Sequence, residues 1–469
     1  MTALEPPDWI EPRGYQRTAI QRWVDASGKG ILNMATGTGK TITALLSATH
    51  VVNSLDTGLF LVIAVPYQHL VDQWTEELEA FGVSPVLAYQ SRANWQPRLE
   101  RELLEFNHGS RSMCVVVTTH RTLSMEPTQR TLQRATGPMM IIGDEVHHLG
   151  AEQMRKGLSQ EFGFRLGLSA TPERWYDESG TLALRQYFGE TVFEYGLSQA
   201  IDAGALCEYY YVPHIVELAA EEIEEYRRLT AKIGRLAASS SDDVALEDNP
   251  ALQQTLFKRA RLIGTAQRKL DVLVDLLDQE SEVSHTLVYC SDGSTGVEPG
   301  TGERHVDATT DRLRTMRGLT VERFTARESQ SEREQLLERF DVGEIDVLTS
   351  IRCLDEGVDV PATRSAYILA STSNPRQYVQ RRGRILRTHP GKEFAVIHDF
   401  ITVPSVNGRP AFLSGSEYEA ERRLLKKELE RVSTFADAAR NHPDADVDGV
   451  PTTDGSLQQL KRQYDLLGA

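Results

Sequence analysis

Cysteine is scarce in this sequence of 469 residues, with only four present, at Cys114, Cys207, Cys290 and Cys353. They are far apart, so we expect neither a disulfide framework nor a zinc site. No apolar run approaches the ~18 residues that span a bilayer. The opening residues, MTALEPPDWIEPRGYQ, lack the basic and then apolar pattern of an export signal. We therefore expect a protein of a reducing compartment, most simply the cytoplasm, with no membrane partner.

Positive charge is also in deficit, because 67 acidic residues face 51 basic ones and leave a net charge of -16. This balance argues against a nonspecific coat for nucleic acid. It does not exclude a nucleic-acid ligand, which needs only a local basic groove. The hydrophobic fraction of 40% and charged fraction of 25% are typical of globular proteins. The length exceeds one ordinary core and predicts two or three domains.

Strand-like apolar runs alternate with amphipathic stretches in the first part of the chain, as in LFLVIAVP, MCVVVTTH and MMIIGDE. From about Glu217 helical spacing replaces the strands, which return from HTLVYCSD to FAVIHDF. Alternation of this kind predicts parallel sheets covered by helices on both faces. The expected class is α/β, with parallel-sheet domains at 1–212 and 283–403. A helical insert at 213–282 and a helical C-terminal extension at 404–469 complete the prediction, and 291–310 is expected to contain a long loop.

The stretch NMATGTGKTIT, residues 33–43, follows a short strand and begins a helix. Backbone N–H groups at such a helix start bind phosphate, and glycines let the backbone approach it closely. Lys40 would reach the β and γ phosphates of ATP, and Thr41 would bind Mg²⁺. The alternative is a glycine-rich turn without a ligand. The predicted ATP-binding residues here are Thr36, Gly37, Thr38, Gly39, Lys40 and Thr41.

A second acidic strand end, as this kind of site requires, occurs in MMIIGDEVHH. Asp144 and Glu145 follow four apolar residues, at the end of a strand where ligands bind in such sheets. Asp144 would hold Mg²⁺, and Glu145 would orient and deprotonate the attacking water. The alternative, two solvated carboxylates in a turn, leaves the context of both stretches unexplained.

Residues 144–147 (DEVH) followed by 169–172 (SATP) resemble the superfamily-2 helicases and translocases of the DExH type. Further motifs of that family appear in order between about Arg13 and Arg387, as RGYQ, VPYQHLVDQW, TTHRTL, LVYCSD, LTSIRCLDEGVDVP and QYVQRRGRILR. The resemblance implies two tandem RecA-like domains. It also implies that Gln16 recognises adenine. Met34 occupies a position that is often Ala in this family, so a missing first glycine is compatible with a working site.

The resemblance implies a catalytic part for the second domain as well. Arg384 and Arg387 are similar to arginine fingers, and Arg381 is similar to a link to the first domain. Gly357 and Asp359 occupy their expected places in motif V and are expected to contact the nucleotide. Residues 169–171 and His147 resemble the parts that couple ATP to nucleic acid. Thr119 and Thr349 are candidate phosphate contacts for nucleic acid. The alternatives are ordinary strand-end threonines and a solvated or DNA-facing arginine patch.

Within the superfamily, the chain most resembles type III restriction subunits and XPB-like helicases. This implies an ATP-dependent DNA helicase or duplex DNA translocase in prokaryotic restriction, anti-phage defence or repair. We found no nuclease constellation, and a motor with a loose helical tail predicts other protein subunits, for example a nuclease. The alternatives are a DExH RNA helicase and a helicase-like scaffold without turnover.

The basic residues of the helical insert either follow a DNA backbone or belong to an ordinary solvated helix pair.

Overall fold

The structure is a computed structural model, and the residues it describes are 4–174, 177–238, 250–294, 303–316, 318–351, 360–370, 375–403, 415–441, 459 and 461–466. The chain divides into two compact units between Ala203 and Gly204. No helix within the described ranges is long and apolar enough to cross a membrane.

The first unit is built on a seven-stranded sheet in which every neighbouring pair is parallel. Its strands are β1 (Lys29–Met34), β2 (Leu59–Val65), β3 (Val86–Ala88), β4 (Met113–Thr119), β5 (Met139–Gly143), β6 (Phe164–Ser169) and β7 (Thr191–Tyr195). Their order in the sheet is β3-β4-β2-β5-β6-β1-β7. The carboxyl ends of β1, β6 and β5 are therefore neighbours, and the loops after them share one edge.

Helices cover both faces of this sheet, and β2 and β4 are buried along their whole length. The continuous apolar runs of these strands are what a parallel sheet covered on both faces requires. Two short 3₁₀ turns, Val146–Gly150 and Met154–Gly157, follow β5. The helices are α1 (Gly14–Asp25), α2 (Lys40–Ser54), α3 (Gln68–Ala80), α4 (Arg92–Asn107), α5 (His120–Leu123), α6 (Glu126–Leu132), α7 (Glu178–Phe188) and α8 (Leu197–Asp202).

The second unit is built on a six-stranded sheet with the order β10-β11-β9-β12-β13-β8, again entirely parallel. Its strands are β8 (Glu208–Glu217), β9 (Thr286–Tyr289), β10 (Val321–Phe324), β11 (Val347–Ser350), β12 (Ser365–Ile368) and β13 (Phe394–Val403). Its helices are α9 (Ala220–Ala238), α10 (Pro250–Gly264), α11 (Arg268–Gln279), α12 (His305–Arg314), α13 (Gln330–Asp341), α14 (Pro375–Ile385) and α15 (Gly415–Ala436). The two units are therefore parallel-sheet α/β domains in tandem, and the predicted fold class is confirmed.

The division between the units falls earlier than the boundary at 212/213 that the sequence predicts. β8 pairs with β13 along its whole length, from Glu208 opposite Phe394 to Glu217 opposite Val403. Residues 208–212 therefore belong to the second sheet. An apolar run shows that a strand exists, but its partner here is far along the chain, and the pattern does not say which sheet the strand joins.

The helices predicted at 213–282 are present, but they are part of the second unit. Tyr226 and Leu229 of α9 and Leu262 of α10 form a buried cluster that also includes Leu424 of α15. Helix α11 instead contributes Leu273 and other apolar residues to the core beneath the second sheet. The predicted insert is therefore a covering layer of this sheet.

The C-terminal helix α15 packs against this sheet and is not the loose tail that the sequence indicated. Arg431 Nε donates to Asp399 Oδ2 at 2.8 Å, and its Nη2 donates to Glu428 Oε2 at 2.8 Å. Tyr211 on β8 donates its hydroxyl to the same Asp399 Oδ2 at 2.9 Å. All four side chains are buried. Removing one partner of such a network costs several kcal/mol, roughly 3–5, so α15 is an integral element of the second unit.

Candidate functional site

The glycine-rich loop of residues 35–39 connects β1 to α2 at the shared edge of the first sheet. Gly37 and Gly39 have φ angles of 87° and 75°, a left-handed conformation that favours glycine. Lys40 Nζ donates to the carbonyl oxygen of Met34 at 3.2 Å, and Thr38 Oγ1 donates to that of Ala35 at 2.7 Å. The side chain of Met34 is fully buried. This position therefore contributes its backbone to the loop, and a bulky apolar side chain is tolerated there.

The residues of this loop fit the phosphates of a nucleotide. Thr36 Oγ1 is buried and has no hydrogen-bond partner among the described residues. A buried hydroxyl without a partner is costly and indicates a ligand that can accept a hydrogen bond from it. The N-terminus of α2 and the ammonium group of Lys40 both favour an anion here. Thr41 lies in the first turn of α2 and Asp144 follows β5, so a hydroxyl and a carboxylate suited to Mg²⁺ flank the shared edge.

Helix α1 is held against the same loop by its first residues. Gln16 is 5% exposed, and its Nε2 donates to the carbonyl of Gly39 at 3.3 Å, while its Oε1 accepts from the backbone N–H of Arg13 at 2.9 Å. The hydroxyl of Tyr15 donates to the carbonyl of Thr38 at 2.9 Å, and its ring stacks on Tyr195 with centroids 4.1 Å apart. Gln16 is therefore at the loop, and its recognition of adenine stays a prediction.

The carboxylate of Asp144 is fixed by two hydrogen bonds. Trp74 Nε1 donates to Oδ2 at 3.0 Å, and the backbone N–H of Glu145 donates to Oδ1 at 2.9 Å. Sequence reasoning assigned no part to Trp74, which lies on α3 and is 1% exposed. Its only sequence signal is its place in VPYQHLVDQW, one of the motifs that resemble those of the superfamily-2 helicases. The indole orients the carboxylate that is expected to hold Mg²⁺.

Glu145 adopts a strained backbone and lies against the buried coupling residues. Its φ and ψ of 44° and 54° are left-handed, a conformation that costs a residue other than glycine about 1–3 kcal/mol and is concentrated at functional sites. Ser169 Oγ donates to Glu145 Oε2 at 3.4 Å, and His147 Nδ1 is also 3.4 Å from that oxygen. His147 Nδ1 lies 3.2 Å from Ser169 Oγ. The two motifs predicted to cooperate therefore meet at this carboxylate.

The two threonines predicted to contact nucleic acid have buried hydroxyl groups. Thr349 is 0% exposed, and its Oγ1 is 2.6 Å from Thr310 Oγ1. The structure therefore does not support a phosphate contact at Thr349, because a phosphate cannot reach this hydroxyl. Thr119 is 7% exposed, and its Oγ1 accepts from the backbone N–H of Thr122 at 3.2 Å as the N-cap of α5. Its hydroxyl therefore caps the N-terminus of that helix.

The arginines of QRRGRILR divide into buried and partly exposed residues. Arg381 is 2% exposed, its Nη1 donates to the carbonyl of Ala370 at 2.9 Å, and its guanidinium lies 4.9 Å from the ring centroid of Tyr289. These contacts lie inside the second unit. Arg384 and Arg387 are partly exposed, and their function as fingers stays a prediction. Gly357 and Asp359 lie outside the described residues.

Several basic residues of α9, α10 and α11 form ion pairs within the second unit. Arg227 Nη2 is 2.8 Å from Glu421 Oε1, and Arg268 Nη1 is 3.1 Å from Glu217 Oε2. Arg228 pairs with Glu225 at 2.5 Å. These pairs favour a solvated helix pair over a track for a DNA backbone.

A cavity of about 640 Å³ opens beside α5, which starts at the carboxyl end of β4. Glu126, its one acidic lining residue, pairs with Arg130 outside the lining. Arg121 and Lys156 give the cavity a basic character that suits phosphate groups. The lining residues are Arg121, Ser124, Met125, Glu126, Gln129, Gln153, Met154 and Lys156.

Two family models match this chain, one in each compact unit. Residues 9–174 match the res subunit of type III restriction enzymes, and residues 268–389 match the conserved C-terminal domain of helicases. The first match spans the glycine-rich loop, the acidic pair and residues 169–172. The second match contains the arginines of α14.

Curated relatives are similar in sequence to this chain over most of its length. The DNA 3'-5' translocase XPB2 of Sulfurisphaera tokodaii is 26% identical over 397 residues, which are 81% of this chain and 79% of the relative. The putative DNA 3'-5' helicase Rad25 of Halobacterium salinarum is 27% identical over 387 residues, or 82% of this chain and 53% of the relative. The chain thus spans about half the length of the Rad25 protein.

Solved structures share the fold. The ATP-dependent Type ISP restriction-modification enzyme LlaBIII bound to DNA matches with a TM-score of 0.60 at 15% identity, over 98% of this chain and 32% of that one. The Hef helicase domain of Pyrococcus furiosus matches with a TM-score of 0.51 at 17% identity, over 84% of this chain and 96% of that one. These likenesses establish the tandem RecA-like fold.

Proposed function

The chain belongs to the superfamily-2 helicases, and from this premise we propose that it hydrolyses ATP to move along duplex DNA. The observation that carries the proposal is the meeting of Glu145, His147 and Ser169 beside the glycine-rich loop on one sheet edge. Glycine-rich loops of other ATP-using enzymes occur without this coupling group. A kinase or small-molecule enzyme would also leave the second RecA-like unit unexplained.

Each residue of the first unit has a definite task in this proposal. ATP with Mg²⁺ supplies the phosphoanhydride bond that is cleaved. The loop N–H groups and Lys40 bind its phosphates, and Thr41 and Asp144 hold the metal. Glu145 orients a water molecule and accepts its proton. Gln16 binds the adenine.

The second unit supplies positive charge in this proposal. Arg384 and Arg387 stabilise the negative charge that develops on the transferred phosphoryl group, as arginine fingers do. Arg381 links this arginine group to the first unit in the proposal, besides its hydrogen bond to the carbonyl of Ala370. Gly357 and Asp359 add contacts to the nucleotide. Closure and opening of two units around a nucleotide provide the two states that movement along a strand needs.

DNA is favoured over RNA as the track by the relatives, whose names describe DNA translocases and DNA helicases. The basic cavity with Arg121 and Lys156 offers phosphate contacts that do not depend on sequence. We propose a role in prokaryotic restriction or repair, and the match of residues 9–174 to the res subunit of type III restriction enzymes supports the first of these. Since residues 9–174 match a family described as a subunit of type III restriction enzymes, we also propose that the chain works with other subunits, for example a nuclease.

The test is the rate of ATP hydrolysis by the purified protein without nucleic acid and with duplex DNA, single-stranded DNA or RNA at low salt. We expect several-fold stimulation by duplex DNA, and loss of turnover in Lys40→Ala. Stimulation by RNA alone would replace this proposal by an RNA helicase. Absence of turnover under every condition would favour a helicase-like scaffold.

A further inference from the structure

A row of aromatic side chains leads from the surface of the first unit to Glu145. Tyr67, the N-cap of α3, is 37% exposed and stacks on the exposed His69 with ring centroids 5.6 Å apart and planes 7° apart. The ring of His148 meets Tyr67 edge-on at 5.8 Å and 77°. His148 in turn lies 4.2 Å from His147, ring centroid to ring centroid.

The inner end of this row controls the surroundings of the Glu145 carboxylate. His147 is fully buried, and its Nδ1 lies 3.4 Å from Glu145 Oε2 and 3.2 Å from Ser169 Oγ. Protein interiors are packed as densely as organic crystals, so a displaced ring displaces its neighbour. A shift of His148 therefore changes the position of His147, and with it the hydrogen bonds available to Glu145.

The outer end of the row is placed to meet a strand of nucleic acid. Tyr67 and His69 follow β2 at the carboxyl edge of the sheet, where ligands bind in sheets of this kind. β2 is flanked by β4 and β5, whose ends lead to the basic cavity and to the acidic pair. Aromatic rings in such a position contact the sugars and bases of a strand and are tolerant of its sequence.

We propose that His148 is a positioning residue that transmits the contact of a nucleic-acid strand with Tyr67 and His69 to Glu145. This inference rests on the proposed function and adds the route by which the strand accelerates hydrolysis. Tyr67 contacts the nucleic-acid strand. A displacement of His148 moves His147, which changes the hydrogen bonds of the Glu145 carboxylate. Because contiguity of contacts alone does not establish coupling, the route needs a direct energetic test.

The experiment is a double-mutant cycle on the ratio of ATP hydrolysis rates with saturating DNA and without DNA. Tyr67→Leu and His148→Leu each remove a ring, and we expect each to lower this ratio about tenfold. The double variant should lose no more than either single variant, because both interrupt one route. His108→Leu, at an exposed histidine of the same unit, serves as the control and should keep the full ratio.

Two further readouts separate transmission from a loss of folding. His148→Phe keeps a ring at the contact, so it should restore most of the stimulation that His148→Leu loses. His148→Leu should lower the stimulated rate with little change in the DNA concentration for half-maximal stimulation, whereas Tyr67→Leu should raise that concentration too. A stimulation ratio in folded His148→Leu equal to that of wild type would overturn the inference, as would additive losses in the double variant. A wild-type protein that no nucleic acid stimulates would overturn the proposed function itself.

Discussion

The Glu145→Gln variant is expected to hydrolyse ATP roughly 10²–10⁴-fold more slowly than wild type, the usual contribution of a positioned general base. Glutamine keeps the size and hydrogen-bonding shape of the side chain but cannot accept the proton of water. The phosphate loop and Asp144 are untouched, so ATP affinity should change little. The measurement is steady-state turnover with duplex DNA, alongside binding of a fluorescent ATP analogue.

A matched control for this variant is Glu152→Gln, at an exposed glutamate seven positions further along the chain. It removes the same charge outside the hydrogen-bonded group of His147 and Ser169, and should keep wild-type turnover. Turnover by Glu145→Gln within about threefold of wild type, far below the contribution of a general base, would show that another group accepts the proton.

The Arg384→Ala variant is expected to lose on the order of 10³-fold in turnover, because an arginine finger contributes that much or more at the transition state. Ground-state binding of ATP should be affected much less, since the finger acts mainly on charge that develops during the reaction. Single-turnover hydrolysis at saturating ATP and duplex DNA measures the effect without interference from product release.

The control for this variant is Arg312→Ala, at an exposed arginine of α12 in the same unit. Substitution of an exposed side chain outside the candidate site changes stability little, so the turnover of this variant should equal that of wild type. Near-normal turnover in Arg384→Ala together with a large loss in Arg387→Ala would assign the finger to Arg387. Normal turnover in both variants would exclude Arg384 and Arg387 as arginine fingers.

Much of the first unit follows from local sequence. Strand, glycine-rich loop and helix are consecutive in residues 30–54, and the positive φ angles of Gly37 and Gly39 explain why those glycines are needed. The acidic pair was predictable for the same reason, since MMIIG is a buried strand and Asp144 follows it directly. The tolerance for Met34 became explicable only when its side chain was placed in the core.

Features that depend on distant partners were beyond the reach of the sequence. Helix α15 has an ordinary charged pattern, and nothing in it shows that Arg431 is buried beside Asp399. In the sequence, Trp74 is an ordinary core residue of an amphipathic helix. Only the structure shows that its indole donates a hydrogen bond to Asp144. Thr349 lies near the end of a strand, a position that suits a phosphate contact. Its hydroxyl is instead hydrogen-bonded to the hydroxyl of Thr310. In each case a tertiary contact decides the outcome.

The measurement that tests the central claim most directly is displacement of a triplex-forming oligonucleotide from duplex DNA by the wild-type protein. A translocating motor strips the third strand without separating the duplex, so we predict displacement that requires ATP and is lost in Glu145→Gln. Displacement should also slow when the path between entry site and triplex is lengthened. ATP hydrolysis that duplex DNA stimulates, with the third strand left in place, would contradict movement along DNA.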